Sequence, residues 1–477
     1  MKLYNTLTRQ VDTVLPIRAG SVGIYTCGPT VYDYAHIGHW YNYVRMDTLI
    51  RALRAEALNV NWVMNITDVG HLVSDADYGE DKLEKGARRE GKTAWEIAEF
   101  YTADFMLGMR LLNIQTPTHI VKATDHIKEQ IELIKRLEAK GYTYVISDGV
   151  YFDTSKFEGY SAFAALDLNE QQAGARVEVN AEKRNASDFA LWKFSPEDTK
   201  RDMEWDNPFG NGRKGFPGWH IECSAMSMKY LGESFDIHTG GIDHIPVHHT
   251  NEIAQSEAAT GKRLANYWLH SNHVTINGEK ISKSLSNGIR LQELIEQGIS
   301  ASAIRLNILE SHYRTQSKFN TSSLTAAANR LNHWRAVAAL VWQPQTDTSA
   351  APETTDILRA ISETSTSIAA ALSDDLNTPL ILSQVDQLFS AIETDLLNPA
   401  AVEPFKAFID YLDAILGINL LESNGPLPNA AQSLLEQRRA ARENKDWQKS
   451  DELREKLTAL GYHIRDITAE KAVWFRA

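Results

Sequence analysis

The period of the apolar positions changes twice within the first 70 residues. Val22 to Thr26 is a short run rich in β-formers, His36 to Ala55 carries its apolar residues at helical spacing, and Val60 to Ile66 is a compact apolar run again. Strand, helix and strand in that order predict a βαβ unit, the opening of a parallel nucleotide-binding sheet. Residues 82 to 113 and 124 to 140 have helical patterning, while Tyr142 to Phe152 reads as a strand pair running into a polar, irregular stretch that ends near Lys183. Strand patterning returns near Phe235 and at Asn272 to Ile276, where Asn277-Gly278 is a two-residue hairpin signal. Beyond Thr321 amphipathic helices take over, divided by Gln343 to Pro352 and Glu422 to Pro428, both rich in Pro, Ser, Thr, Gly or Asn.

These elements predict an α/β fold in six parts. A Rossmann-like domain begins over 1–115, a connective insertion follows over 116–205, and 206–290 forms the second half of the domain. A junction over 291–325 leads to a helical domain over 326–421 and a small appendage over 422–477. No apolar run approaches the ~20 residues that a membrane-spanning helix needs, and the first 20 residues lack an apolar core followed by a small-residue cleavage site. A cytoplasmic protein is the expectation.

Composition narrows the chemistry. The net charge of -13 argues against indiscriminate nucleic-acid binding, which rests on neutralised phosphates, so a nucleic-acid partner needs local basic surface. Arg88, Arg89 and Lys92, then Arg213 and Lys214, then the stretch Arg438 to Lys456 are the candidates, although such runs are usually solvated faces. Cys27 and Cys223 are the only two cysteines, too few for a disulfide framework.

Two short strings suit a triphosphate. His36-Ile37-Gly38-His39 opens the first helix, where unpaired N–H groups and the helix dipole favour anions; Gly38 lets a phosphate chain approach, and both imidazoles can donate to it. Lys280-Ile281-Ser282-Lys283-Ser284 follows the hairpin, on a loop whose lysines can follow a leaving pyrophosphate. Each string alone could be a plain helix turn or a solvated basic loop. Both in this order on the two halves of one βαβ-type domain is a far rarer coincidence.

Together they resemble the two motifs that define class I aminoacyl-tRNA synthetases. Within that class Tyr25-Thr26-Cys27-Gly28-Pro29-Thr30-Val31-Tyr32-Asp33, Gly218-Trp219-His220-Ile221-Glu222-Cys223-Ser224, Gly240-Gly241-Ile242-Asp243 and His248-His249-Thr250-Asn251-Glu252 resemble the cysteinyl-tRNA synthetase family. The opening Lys2 to Arg9, Gly149 to Phe157 and Asp374 to Pro379 are similar to it too, so the likeness covers essentially the whole chain. It implies the class I synthetase fold, with a C-terminal helical bundle and terminal appendage behind the interrupted Rossmann-like domain.

The residues bear on this independently. Cys27, Cys223, His248 and Glu252 are zinc ligands in type, and His248 and Glu252 share a face if their stretch is helical. Composition alone favours two inert buried thiols, since free cysteines are commonly buried. The resemblance implies that these four hold one Zn²⁺ per chain, which takes the substrate thiol and refuses a hydroxyl, so that no editing domain is needed. It further implies His36, His39, Lys280 and Lys283 as catalytic residues, with His36, Gly38, His39 and Lys283 binding ATP and Mg²⁺ accompanying the nucleotide. Thr67, Trp219 and Asp243 line the amino-acid pocket, Asp243 pairing with the ammonium and Trp219 forming an apolar wall. The implied activity joins L-cysteine to tRNA-Cys through cysteinyl-adenylate, with the ribose 2′-OH as acceptor, in a monomer whose appendage reads the anticodon; Trp474 is a candidate there.

Some positions depart from the family pattern. Phe216 replaces a frequent basic residue, Ser286 a glycine, His244-Ile245-Pro246-Val247 a stretch ending in an aromatic and proline, and Val69 to Lys82 carries a polar acidic insert. Related enzymes that join cysteine to an amino sugar share the catalytic domain without a full C-terminal region, and a non-catalytic tRNA-binding relative is the other alternative. The long helical region and the two intact phosphate-handling strings favour the synthetase.

Overall fold

The computed structural model describes residues 1–70, 82–164, 180–196, 201–210, 212–281, 288–343, 351–395, 397, 399–421, 425–466 and 472–476. The chain opens with an antiparallel hairpin of β1 (Lys2–Asn5) and β2 (Gln10–Thr13). Then come β3 (Ser21–Thr26), α1 (Ile37–Ala55) and β4 (Asn59–Ile66), each boundary within one residue of the expected βαβ unit. β3 and β4 pair in parallel, with Val22 opposite Val60 and Ile24 opposite Trp62. Covered on both faces, such strands read as apolar runs and not as alternations.

The helical stretch after residue 82 is two helices, α2 (Lys82–Glu90) and α3 (Ala94–Leu111). Gly91 turns at positive φ between them, and Thr93 caps α3 in a reciprocal box with Glu96. β5 (His119–Lys122) pairs parallel to β4 and so lies in the central sheet, although the sequence pattern put it in the insertion. After α4 (Ile127–Ala139), the strands β6 (Thr143–Ile146), β7 (Gly149–Phe152), β8 (Phe189–Phe194) and β9 (Gly215–Pro217) form an antiparallel sheet. β9 likewise crosses the expected boundary at 206, because buried Phe216 and its neighbours pair with β8.

α5 (Trp219–Leu231), β10 (Phe235–Gly241), α6 (Thr250–Thr260) and β11 (Ala265–Ser271) complete the central domain. Its five strands run in the order β11-β10-β3-β4-β5, all parallel. The winding reverses between β3 and β10, and the crevice beyond the carboxyl ends of the strands at such a point is where α/β sheets place ligands. β12 (Val274–Ile276) and β13 (Glu279–Lys280) form the expected hairpin, with Asn277 and Gly278 both at positive φ as a type I′ turn requires. β14 (Ser317–Phe319) pairs with β12 on its other side.

α7 (Leu291–Glu296) and α8 (Ala301–Leu309) lead into the helices α9 (Thr321–Ala338), α10 (Ala351–Ser373), α11 (Thr378–Asp395) and α12 (Pro399–Leu416). The appendage is α13 (Asn429–Glu443), α14 (Trp447–Ala459) and an antiparallel ribbon of β15 (Tyr462–Asp466) and β16 (Ala472–Arg476).

Polar joints lock the helical region to the catalytic domain. Buried Asp47 on α1 accepts from Arg51 Nε at 2.7 Å and from Arg305 of α8, and Arg305 also donates to the carbonyls of Leu112 and Leu416. Asp375, between α10 and α11, accepts from Tyr4 N at 2.8 Å, Tyr313 Oη at 2.5 Å and Arg314 Nε at 2.7 Å. No described helix is long and apolar enough to cross a membrane.

Candidate active site and metal cluster

A cavity of about 820 Å³ opens beyond the ends of β3, β4 and β10. Cys27, Thr67, Trp219, Cys223, Asp243 and His248 line one part of it, and His36, Gly38 and His39 another. Gly28 follows Cys27 in the turn after β3, where a Cβ would sit 1.6 Å from the Asn65 carbonyl oxygen, so only glycine allows this approach to β4.

His36 is the N-cap of α1. Its Nδ1 accepts from Gly38 N at 3.1 Å, His39 Nδ1 accepts from His36 N at 3.1 Å, and the two rings stack with centroids 3.8 Å apart. This reciprocal box holds the two stacked imidazoles at the helix terminus, in the lining of the cavity. A Cβ on Gly38 would lie 2.9 Å from the His36 ring, so a side chain there would push the pair apart. Lys280 ends β13, while Ser282, Lys283, Ser284 and Ser286 lie outside the described residues. Past that segment, Ile37 N donates to the Ile289 carbonyl at 2.8 Å and Arg290 bridges to His36, tying the end of the lysine loop to the first motif.

Cys27 lies just after β3 and Cys223 on α5. A π turn over Ile245–His249 runs into α6, so His248 and Glu252 sit on consecutive turns of one helical run. One ligand atom from each of Cys27, Cys223, His248 and Glu252 lies within 4.8 Å of all the others, and all four residues are buried. His248 Nε2 faces Glu252 Oε1 at 3.0 Å, while His220 Nδ1 approaches His248 Nδ1 at 3.0 Å and orients the ring.

The electrostatics divide the four donors, favouring the ionised form at Cys223 and Glu252 but the protonated form at Cys27 and His248. A hydrogen bond from the Cys27 thiol lowers the Cys223 pKa to about 7 against the effect of burial, with His248 assisting. Burial, followed by the hydrogen bond to Cys223, pushes the Cys27 thiol up. Burial disfavours a charged His248, but the Glu252 and Cys223 charges override it and lift its pKa to about 10. Burial also opposes ionisation of Glu252, yet His238 and His248 hold its carboxyl well below the ordinary carboxylate range. Two sulfurs, an imidazole and a carboxylate, buried and convergent, are a donor set that fits zinc.

Sequence reasoning missed the imidazoles behind this cluster. His238 Nε2 lies 2.9 Å from Glu252 Oε2, His249 Nε2 3.4 Å from Cys27 Sγ, and His249 Nδ1 2.7 Å from His270 Nε2. Cys27, His238, His249 and Glu252 form a second convergent set that shares two members with the first. The available signal was a histidine inside each of two core strands, His238 in β10 and His270 in β11, where a buried polar residue must have a partner.

Trp219 packs against His248 with centroids 4.3 Å apart and ring planes tilted by 34°, and Asp243 follows the end of β10. Among the departures, Phe216 carries the Arg201 guanidinium 3.8 Å above its ring, and His244 lines the cavity. Residues 71–81 of the acidic insert lie outside the described residues.

A family model described as tRNA synthetases class I (C) catalytic domain matches residues 13–329, and one described as cysteinyl-tRNA ligase anticodon binding domain matches residues 424–476. The chain belongs to the cysteinyl-tRNA synthetase family. It is a ligase of the class I synthetase fold. Its sequence is 46% identical to cysteine–tRNA ligase 1 of Burkholderia lata over 98% of this chain and 95% of the relative. With cysteine–tRNA ligase of Treponema denticola the identity is 42% over 99% of both chains. The structure of Mycobacterium tuberculosis methionyl-tRNA synthetase in complex with methionyl-adenylate shares the fold, with a TM-score of 0.60, 15% identity and coverage of 86% of this chain and 94% of that one.

In this synthetase the appendage keeps Trp474 inside. That indole is 4% exposed, packs edge-on against Tyr462, and its backbone is gripped from both sides by Gln343, so it is a core ring and not a stacking platform. Arg438 is also structural, 2% exposed and bidentate to Asp466 at 2.8 Å. The exposed aromatic is Trp447, 55% exposed at the start of α14, with the Arg442 guanidinium 5.6 Å from its ring centroid.

Proposed function

We propose that this chain activates L-cysteine with ATP and transfers it to the 3′-terminal adenosine of tRNA-Cys. The observation that carries the reading is the shared cavity: a convergent set of two cysteines, a histidine and a glutamate at one part and a histidine-capped helix N-terminus at another, in a chain of this family.

The amino acid lies between Trp219, Thr67 and Asp243, its ammonium paired with Asp243 and its thiol directed at the Cys27, Cys223, His248 and Glu252 cluster. Those four residues would hold zinc, which would supply a site for a soft thiolate and not for a hydroxyl, a discrimination beyond a pocket of apolar walls. Glu252, the one oxygen donor of the set, would be the ligand to give way when the thiol binds. ATP, with Mg²⁺, lies over Gly38, its phosphates meeting the imidazoles of His36 and His39 and the ammonium groups of Lys280 and Lys283. The cysteine carboxylate attacks the α-phosphorus, the bond to the bridging oxygen breaks, and pyrophosphate leaves against those cations. No side chain acts as nucleophile; positioning and charge stabilisation carry the step. The ribose 2′-OH then attacks the adenylate carbonyl and releases AMP. The helical domain and the appendage, through Trp447, hold the tRNA.

Cysteine-dependent ATP–pyrophosphate exchange, with serine as competitor and zinc quantified on the same sample, tests this reading. Exchange supported by cysteine alone at about one zinc per chain is expected. A folded, zinc-loaded sample without exchange, or one that exchanges equally with serine, overturns it. Charging of tRNA-Cys in preference to an amino-sugar acceptor completes the test.

A further inference from the structure

Beneath the cavity floor lies a carboxylate that the proposed mechanism does not use. Glu222 precedes Cys223 on α5 and is fully buried. Thr67 Oγ1 donates to Glu222 Oε2 at 3.1 Å, and Asn65 Nδ2 donates to Thr67 Oγ1 at 3.0 Å. Gly28 N donates to Asn65 Oδ1 at 2.7 Å.

The direction of this chain is set at its first link. A backbone N–H can only donate, so the Asn65 atom facing Gly28 is the oxygen, and the amide nitrogen faces Thr67. Thr67 Oγ1 donates to Glu222 Oε2, so the Thr67 proton belongs to Glu222. The hydroxyl therefore receives one hydrogen bond, gives its proton away beneath the floor, and keeps one lone pair for the cavity. Thr67 thus meets an occupant as an acceptor and not as a donor.

We infer that Glu222 is a positioning residue for the substrate ammonium: by holding the Thr67 proton it turns that hydroxyl into an acceptor for a cationic amine opposite Asp243. This rests on the reading that Thr67 lines the amino-acid pocket. It identifies the preferred substrate feature as a protonated α-amine and assigns its recognition to two carboxylates, Asp243 at the cavity and Glu222 one bond behind it. In Glu222→Gln the amide can donate to Thr67. The hydroxyl, already accepting from Asn65, then turns its own proton into the cavity and opposes the ammonium.

The test is exchange kinetics on the zinc-loaded full chain for Glu222→Gln, Thr67→Val and the double variant, with binding of 3-mercaptopropionate, which lacks the amine, measured beside it. Glu222→Gln should raise the cysteine KM by about tenfold or more, the scale of one hydrogen bond to a charged group. It should leave the ATP KM, the zinc content and 3-mercaptopropionate binding unchanged, and add little to the Thr67→Val defect. Equal weakening of cysteine and 3-mercaptopropionate, or full additivity with Thr67→Val, overturns the inference, since the carboxylate would then serve the fold or the metal. If Thr67→Val alone leaves the cysteine KM unchanged, the pocket reading of Thr67 fails first. Should Glu222→Gln not fold, Glu222→Asp, which keeps the charge and shortens the reach, must weaken cysteine and spare 3-mercaptopropionate; equal weakening of both again overturns the inference.

Discussion

His238 and Glu252 meet in the core, the imidazole Nε2 2.9 Å from carboxylate Oε2, while the other oxygen of the same carboxylate faces His248 at 3.0 Å. A carboxylate gripped by His238 on one side and facing His248 on the other is oriented before any metal arrives. His238→Ala should lower zinc affinity by roughly 10- to 100-fold, the usual effect of removing such an outer partner. Chelator competition followed with a zinc-sensitive dye reads the change. An unchanged affinity would show that Glu252 needs no support or is not a ligand.

The joint between Asp47 and Arg305 bears on stability. Asp47→Asn leaves a buried guanidinium without its countercharge, and breaking a buried pair from one side costs about 3–5 kcal/mol. Urea denaturation should show that loss as a lower midpoint, with zinc binding in the surviving native fraction unaltered.

Asp466 governs the appendage. Burial raises its pKa, but the Arg438 hydrogen bond and the Arg438, Arg442 and Arg454 charges outweigh this and hold it below the ordinary range. A carboxyl depressed on folding stabilises the native state above its unfolded pKa of about 3.9, and that contribution is lost as the pH falls through the lower folded value. The appendage should therefore stay folded at mildly acidic pH. Asp466→Asn should loosen it already at neutral pH, seen as solvent exposure of Trp474 by fluorescence, with pyrophosphate exchange retained.

Trp447 offers its indole face to solvent beside Arg442. Stacking of one unpaired base on such a ring contributes about 1–3 kcal/mol. Trp447→Ala should raise the KM for tRNA-Cys by roughly five- to 150-fold, the same energy expressed as a ratio, and leave amino-acid activation alone. A variant that charges tRNA normally would move anticodon reading elsewhere on the appendage.

Local pattern was enough for β3, α1, β4 and the Asn277-Gly278 hairpin, because each follows from periodicity or turn chemistry within a few residues. The four residues that the fold brings within 4.8 Å were selected by the family resemblance and not by local pattern. What stayed hidden depends on distant partners. β5 and β9 are four and three residues long, and their membership is decided by β4 and β8 far away in the chain. His238, His249 and His270 look like ordinary strand or helix residues until β10, the π turn before α6 and β11 are set side by side. The same holds for Trp474, whose burial depends on Gln343 and on Tyr462.

The Asp375 joint also sets a schedule for biosynthesis. Tyr4, in the first strand, donates its amide to a carboxylate 371 residues later, and the Asp375 amide answers to the Lys2 carbonyl. At about 5–20 residues per second, a ribosome takes roughly 20 to 75 s to supply that partner. Until then the leading edge of the nascent catalytic domain is unfinished, and a product truncated before residue 375 never completes it. Damage at the far end of the message is thereby felt at the beginning of the protein.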